Sequence, residues 1–583
     1  MKRRYFLSSI ALAPVALRGQ QGPPREERVE SLTAADKPAL AINHLGFLPK
    51  SRKTVICRLP GGGTAEDFLF RDIGGPPRPF ELRRSLKRVA SDFGECLVGD
   101  LSDVEREAMY QVTVGGERSV PFFIRPDLWR RTLPRAVGYY RYQRCGVEVP
   151  GVHPACHLDD ARRRDNGERV DTVGGWHDAG DLRKWMSATM VNGIALLSLA
   201  RNLGEKWDLG GAGLAALLEE TQWGNRYFLK MQDSDGRVFA DVAGGLNGDN
   251  SDNHWTDNVA GNSDDRYLNP SKSGRNQAMF VTLEAMAAQA WRGRDNAYAA
   301  RCLDAAQRCW EANPRGGATL DLAWWLLAAV ELNRAEANPS VSRAALNLGE
   351  QLVSLQVKAF LGGQRQIRGF WSASAKNPEP YSQAVDSALP VLALLELAKA
   401  FPDHADASRW RDALRLHFDE YVLPMSMRSA YRIIPVGVYS GTPTKEHYRP
   451  LAGELTYRYF LPVRKQFWWL GTTSHLECYA LALAGAARMF DKPAYRDLAY
   501  RQLEWVMGAN PFAACLMTGE GMRHPYPHSR YVGLIPGGIL NGIAGNAKDE
   551  PVLDMENGYD WRTTEYWSPH NAYYIWAVSE LEQ

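Results

Sequence analysis

Near residue 126 the hydrophobic pattern of the chain changes its period, and no other feature limits the fold as much. From about 38 to 126, apolar residues come in short or alternating runs: ALAINHLGFLP, KTVICRL, ECLVGDL, MYQVTVGG and SVPFFIRP, separated by Gly, Pro and charge. Alternation puts every second side chain on one face of a strand, and turn residues fold such strands back on each other. The pattern predicts a small β-sandwich. After Leu128, apolar residues recur at i, i+3 and i+4 through Leu214–Met231, Gln277–Arg292, Leu320–Asn333, Ala344–Ala359, Ser382–Ala400, His475–Phe490 and Ala494–Met507. That is the stripe of an amphipathic helix, and roughly a dozen such segments run from Pro134 to the end. Ser474 and Asp491-Lys492-Pro493 give one of them start and stop signals. The connections are long, unequal and rich in Gly, Pro and aromatics. Loops longer than ~12–15 residues in a compact domain are usually functional or disordered. Helix pairs in series predict an α/α toroid whose loops build a cleft at one end.

Charge and length narrow the function classes. Lys and Arg number 69 against 67 Asp and Glu in 583 residues, which excludes a basic nucleic-acid binder and an acidic disordered tail. Eight Cys are too sparse for a disulfide scaffold. At the start, Lys2, Arg3 and Arg4 precede an apolar stretch, Ile10 to Leu17, interrupted by Pro14. A membrane-spanning helix needs roughly 20 residues, so residues 1–19 read as a signal peptide. Arg3-Arg4-Tyr5-Phe6-Leu7 is similar to a twin-arginine signal, which predicts export to the periplasm or the extracellular space. Residues 20–37 read as a polar linker. No later stretch predicts a membrane span.

The most informative string is Gly174-Gly175-Trp176-His177-Asp178-Ala179-Gly180-Asp181. Two carboxylates with only Ala and Gly between them can hold one water, and one of them can take its proton. Small residues let backbone and substrate come close. An Asp helix cap before Leu182, or a calcium loop, uses the same letters. Hydrolysis of an acetal also needs a proton donor. Glu565, in Trp561-Arg562-Thr563-Thr564-Glu565-Tyr566-Trp567, is the candidate, because aromatic neighbours desolvate a carboxyl and keep it protonated. Asp554, Glu556 and Asp560 compete for that role.

GGWHDAGD, then PYPHSR and TTEYWSPHNA far downstream, resembles glycoside hydrolase family 9, the endoglucanase family with an (α/α)6 barrel. YYRYQRCG, ACHLDDAR, LEWVMGANPF and LMTGEG match in the same order. AINHLGFLPKSRKTVI looks like the start of the immunoglobulin-like domain that one branch carries before the barrel. The resemblance implies an immunoglobulin-like β-sandwich over 38–126 and a barrel over 127–583. It implies Asp181 as general base, Asp178 as its helper on the nucleophilic water, and Glu565 as general acid. His528 and Arg530 would contact sugar hydroxyls, and Trp561 stands at an expected offset from the acid. Inversion needs roughly 6.5–9.5 Å between acid and base carboxyls. The chain departs from the family pattern at Thr564, where Asn is usual, at Trp567, where a small or aliphatic residue is usual, and at Glu556, where Asp is usual. The stretch from Gly521 to His528 is one residue short.

Cys145, Cys156, His157 and His177 are the inventory of a closed zinc site. The spacing alone also fits buried thiols with satisfied histidines, or a Cys145–Cys156 disulfide. The resemblance implies structural zinc on these four. Asn247 to Asp265 is rich in Asp and Asn, a ligand type that suits calcium, and Thr319-Leu320-Asp321 is the counterpart of a family calcium position. Calcium stays unassigned. Trp255, Trp371, Trp468, Trp469, Trp561 and Trp567 fall in or beside loops, and two or three of them are expected to meet sugar, Trp255 and Trp561 first. Cys302 and Cys309, ~10 Å apart on one helix, are too far apart to bond. Cys57 and Cys96 have a pairing the sequence does not decide. The expected protein is a monomeric, exported, inverting β-1,4-glucan hydrolase with no catalytic cofactor. An exo-acting β-glucosidase or glucosaminidase, a non-catalytic glycan binder on the same fold, and a polysaccharide lyase are the competing readings.

Overall fold

The computed structural model describes residues 40–58, 65–75, 80–207, 213–243, 255–359, 367–462, 470–529 and 533–583. The expected leader and linker lie outside them, as do Arg530, Trp468, Trp469 and residues 247–254 of the Asn247–Asp265 loop.

Ten short strands form the N-terminal region: β1 (Leu40–Ala41), β2 (Gly46–Phe47), β3 (Thr54–Cys57), β4 (Asp67–Asp72), β5 (Glu81–Ser85), β6 (Lys87–Val89), β7 (Cys96–Asp100), β8 (Ala108–Val114), β9 (Glu117–Arg118) and β10 (Phe122–Ile124). One sheet runs β1-β3-β7-β6 and the other β2-β10-β8-β4-β5, with β9 on β8. Alternation does what it predicts. Phe68 and Phe70 of β4 point inward with Tyr110, Val112 and Val114 of β8, and meet Leu40, Val55 and Cys57 of the facing sheet. Away from its exposed edge strand β6, the first sheet is buried on both faces. Its other face sends Ala41, Ile56 and Cys96 into the helical core. The register pairs Cys57 with Leu97, so Cys57 and Cys96 lie on opposite faces and cannot bond. All eight cysteines are free and buried.

The helices that follow are α1 (Leu133–Tyr142), α2 (Met186–Leu203), α3 (Leu214–Lys230), α4 (Gly274–Trp291), α5 (Asn296–Glu311), α6 (Thr319–Ala335), α7 (Pro339–Ser354), α8 (Leu389–Ala400), α9 (Ala407–His417), the short α10 (Leu423–Ser426), α11 (Thr473–Phe490), α12 (Pro493–Val506), the one-turn α13 (Trp561–Thr564) and α14 (Ser568–Leu581). α2, α4, α6, α8, α11 and α14 pack side by side in that order, and α14 returns to α2. These six are apolar nearly all round, as a helix enclosed by others must be. α3, α5, α7, α9, α12 and α1 pack outside them, each with one polar face.

Helix ends follow capping chemistry. Ser273, Asp295 and Asn338 accept from backbone N–H groups at the starts of α4, α5 and α7. Asp491 closes α11 in a left-handed conformation. Periodicity alone carries a helix back to Ser382, but α8 begins at Leu389. Pro390 suits a first turn and not an interior. The preceding Asp386 is held by Arg275, the Tyr573 hydroxyl and the Trp324 indole. Among the described residues no helix is long and apolar enough to cross a membrane.

Candidate active site

α2 and α14 are neighbours in the ring, and each begins directly after one of the two acidic motifs. Ring closure therefore brings Asp178–Asp181 beside Glu565. A short ladder fixes the approach. Ala179 bridges Trp567, and the Ser568 N–H donates to the Asp178 carbonyl at 2.7 Å. On the other side, His528 bridges Glu565 in parallel, its N–H donating to the Thr564 carbonyl at 2.9 Å. The Asn541 N–H donates to the Glu565 carbonyl at 2.8 Å. Gly180 is where the motifs touch. A Cβ there would lie 2.4 Å from the His528 carbonyl oxygen and 3.4 Å from Oε1 of Glu565. Any side chain would push back the His528 backbone and crowd the Glu565 side chain.

The three carboxyls have different surroundings. Asp178 is buried, whereas Asp181 and Glu565 are half-buried. Asp178 accepts from the Trp185 N–H at Oδ1 and the Trp567 indole N–H at Oδ2, both at 3.2 Å. Asp181 Oδ1 accepts from the Arg183 N–H at 3.0 Å. Burial pushes the Asp178 carboxyl well above its ordinary range, and the charge on Asp181 adds to that. The N–H groups of Trp185 and Trp567 pull the other way. Two such groups resist carrying two full negative charges, and a water between them is a place for the shared proton.

Two of the three rivals of Glu565 are engaged elsewhere. Asp554 accepts from the backbone N–H groups of Glu556, Asn557, Tyr559 and Asp560, which builds a turn. Asp560 pairs with Arg562 at 2.5 Å, and Glu556 is exposed. Thr564 is buried and donates its hydroxyl to the Asp560 carbonyl at 2.9 Å. His528 Nδ1 lies 2.6 Å from the Gly558 carbonyl. The carbonyl of Trp561 accepts from Asn541 Nδ2 at 2.8 Å.

Asn541 was not singled out by the sequence, and neither was His570 behind it. His570 Nε2 lies 2.7 Å from Asn541 Oδ1, and its Nδ1 meets the Ser474 hydroxyl. Gln143, which donates to the Ala179 carbonyl at 2.6 Å, was missed as well. Gln143 and His570 lie inside the YYRYQRCG and TTEYWSPHNA strings, but no role was read for them there. Each is an ordinary polar residue far in sequence from the group it steadies.

Cys145, Cys156, His157 and His177 offer donor atoms that all lie within 4.8 Å of one another, all buried. Cys145 Sγ is 3.5 Å from His157 Nδ1, and Cys156 Sγ is 3.9 Å from His177 Nε2. His177 Nδ1 is buried without a hydrogen-bond partner. Burial lowers the His177 pKa to about 4, so the ring is in its neutral, ligating form. Burial would raise the Cys145 thiol, but the contact with Cys156 together with the electrostatic pull of Lys184, His177 and His157 draws it well below the usual range. The same contact pushes Cys156 up. Two thiols and two imidazoles at this spacing fit a tetrahedral metal ion.

Trp255 packs against this cluster, its ring 5.8 Å from His157 and nearly parallel, and 5.4 Å from His153. Trp371 is buried and donates to the Leu352 carbonyl, in the core. Asp159, Asp257 and Asp264 bring carboxylate oxygens within 4.8 Å of one another at the described end of the Asp/Asn-rich loop. Asp321 lies in the first turn of α6, and among the described residues no metal-ligating cluster forms around it.

A sequence profile of the family described as "Glycosyl hydrolase family 9" matches residues 129–536, more than half of the chain. The match ends before Glu565, so the acid rests on geometry. A cellodextrinase of Butyrivibrio fibrisolvens is 28% identical over 218 residues, 34% of this chain and 39% of the relative. Endoglucanase D of Acetivibrio thermocellus is 29% identical over 244 residues, 37% of this chain and 36% of the relative. The matched stretch thus spans under two fifths of either relative. Among solved structures, a Zn-binding triple mutant of the family 9 endoglucanase J30 superposes with a TM-score of 0.68 at 24% identity, over 92% of this chain and 99% of that one. The fold, the ordered motifs and the profile agree: the chain belongs to glycosyl hydrolase family 9.

Proposed function

We propose that the chain is an inverting β-1,4-glucan hydrolase of endoglucanase type. The observation that carries this reading is the Glu565 carboxyl lying against Gly180, the residue just before Asp181 in the loop that carries both aspartates. Water held by Asp178 and Asp181 attacks the anomeric carbon. Asp181, the more exposed of the pair, takes the proton as general base, and Glu565 protonates the departing oxygen from the other side. His528 and Arg530 would bind hydroxyls beside the scissile bond, and Trp561 would supply an apolar ring. Trp255 serves the imidazole cluster first and the substrate second.

A structural zinc is part of the same reading. Cys145, Cys156, His157 and His177 would hold it, and four protein ligands leave no open position for water. Its contribution would be a cross-link tying His177, and with it Asp178, to the Cys145–His157 segment. Metal analysis should give one zinc per chain, lost in Cys156→Ser together with thermal stability. Unchanged metal content would remove zinc from the reading. The closed ring of six helices with six outer partners supports an (α/α)6 barrel over 127–583, and the two facing sheets support an immunoglobulin-like domain over 38–126. The leader motif supports export, which N-terminal sequencing of secreted protein would test.

Cellohexaose with NMR of the first-formed anomer tests the chemistry. The α-anomer and mixed shorter oligomers are expected, and a β-anomer would overturn inversion. Release of glucose alone, or of glucosamine alone from chitosan oligosaccharides, would favour the second reading, an exo-acting enzyme on short oligosaccharides. The likeness to a cellodextrinase and the large ring of Trp567, two residues after the acid in sequence, support that alternative.

A further inference from the structure

The extended backbone from Glu565 to Trp567 sends side chains alternately to opposite sides. Tyr566 points into the core, where its hydroxyl donates to Thr518 Oγ1 at 3.2 Å. Glu565 and Trp567 therefore share the face that meets the aspartate loop. Trp567 is half-buried there, and its indole N–H reaches Oδ2 of Asp178 at 3.2 Å. Oδ1 is held at the same distance by the N–H of Trp185. Trp185 and Trp567 are the residues immediately before α2 and α14. Both Asp178 oxygens are thus fixed from the starts of two adjacent inner helices. The indole is itself held, edge to face with His570 at 5.7 Å.

We propose that Trp567 is a positioning residue for the hydrolysis: its indole N–H sets the rotation of the Asp178 carboxylate, so that the remaining lone pairs face the water shared with Asp181. Because the same short strand carries Glu565, one segment of chain sets both the acid and the orientation of the water-holding group. This inference rests on the hydrolase reading above. It explains why a large ring stands two residues after the acid, where the family pattern has a small or aliphatic one. A ring that only filled space would need no N–H aimed at a carboxylate oxygen.

Replacing Trp567 with β-(3-benzothienyl)alanine keeps the ring and its volume but removes the N–H donor, and Trp567→Phe removes it by ordinary mutagenesis. A hydrogen bond to a charged group lost in this way should lower kcat on cellohexaose about 10- to 100-fold with KM little changed. Trp567→His, which restores an N–H, should recover part of the loss. A benzothienyl enzyme with native kcat would overturn the proposal, because packing alone would then account for the residue. If the native enzyme cleaves no glycan, the hydrolase reading fails on its own. Crystal structures of the native and Trp567→Phe proteins then decide the positioning role separately: a rotated Asp178 carboxylate in the variant upholds it, and an unmoved one ends it.

Discussion

The two ends of the helical ring handle carboxylates in opposite ways. At the C-terminal ends of the inner helices, Glu396 and Glu580 line a cavity of about 890 Å³, Glu331 is paired with two of its lining arginines, and each of the three has cations within reach. Arg201 and Arg334 hold Glu331 at 2.8 and 2.6 Å. Arg334 and Lys399 hold Glu396 at 2.8 and 2.9 Å, and Lys399 and Arg488 hold Glu580 at 3.3 and 3.2 Å. The network links α2, α6, α8, α11 and α14. At the N-terminal ends, Asp178 receives N–H groups, and the charge that most affects it is the like charge of Asp181. Carboxylates that close the ring are neutralised by cations. Those of the site are oriented by neutral donors, which leaves their protons available for chemistry.

The largest expected effect breaks the site end alone. Asp181→Asn should lower kcat by about 10²- to 10⁴-fold, the usual reach of general-base catalysis. The thermal midpoint and the affinity for cello-oligosaccharides should stay close to native. A variant that kept its rate would move the base elsewhere, and one that unfolded would make the aspartate structural. The converse break is Arg334→Met at the other end. It strips one cation from both Glu331 and Glu396, and leaving buried carboxylates short of charge should cost about 3 kcal/mol of stability. Activity per folded molecule should be unchanged, as checked by chemical denaturation alongside kinetics.

How much of this contrast was legible in the sequence differs by level. Strand alternation at Phe68 and Phe70, and helical stripes such as His475–Phe490, were visible because local period reflects burial. The start of α8 was not, because Asp386 is tied down by Arg275 and Tyr573, which come from distant helices. The aspartate pair stood out as a string. The choice of Glu565 over Asp554 and Asp560 did not follow from chemistry alone. The resemblance singled out Glu565, and the structure ties Asp554 into a turn and Asp560 to Arg562. Trp255 read as a loop aromatic open to sugar. Its place against His153 and His157 depends on residues about a hundred positions away.

The smallest effect concerns pH, and it has opposite signs at Glu396 and Glu284. Burial would raise Glu396, but Lys399, Arg334 and Arg201 together hold it well below its ordinary 4.5. The folded state therefore keeps Glu396 ionised where the unfolded chain takes up a proton. Its stabilisation is complete above 4.5 and is lost as the pH falls through the acid range. Glu284 has the opposite sign. It is buried on α4 with Asn225 and Cys302 and no cation among the described residues, and burial raises its pKa to about 8. The folded state keeps that proton while the unfolded chain releases it above 4.5, so stability declines between there and about 8. One proton bounds either slope at about 1.4 kcal/mol per pH unit. Denaturation midpoints from pH 3 to 8 should thus flatten on the acid side in Glu396→Gln and on the neutral side in Glu284→Gln. If both variants flattened the same side, the difference between a cation-paired and a merely buried carboxyl would not govern stability in this ring.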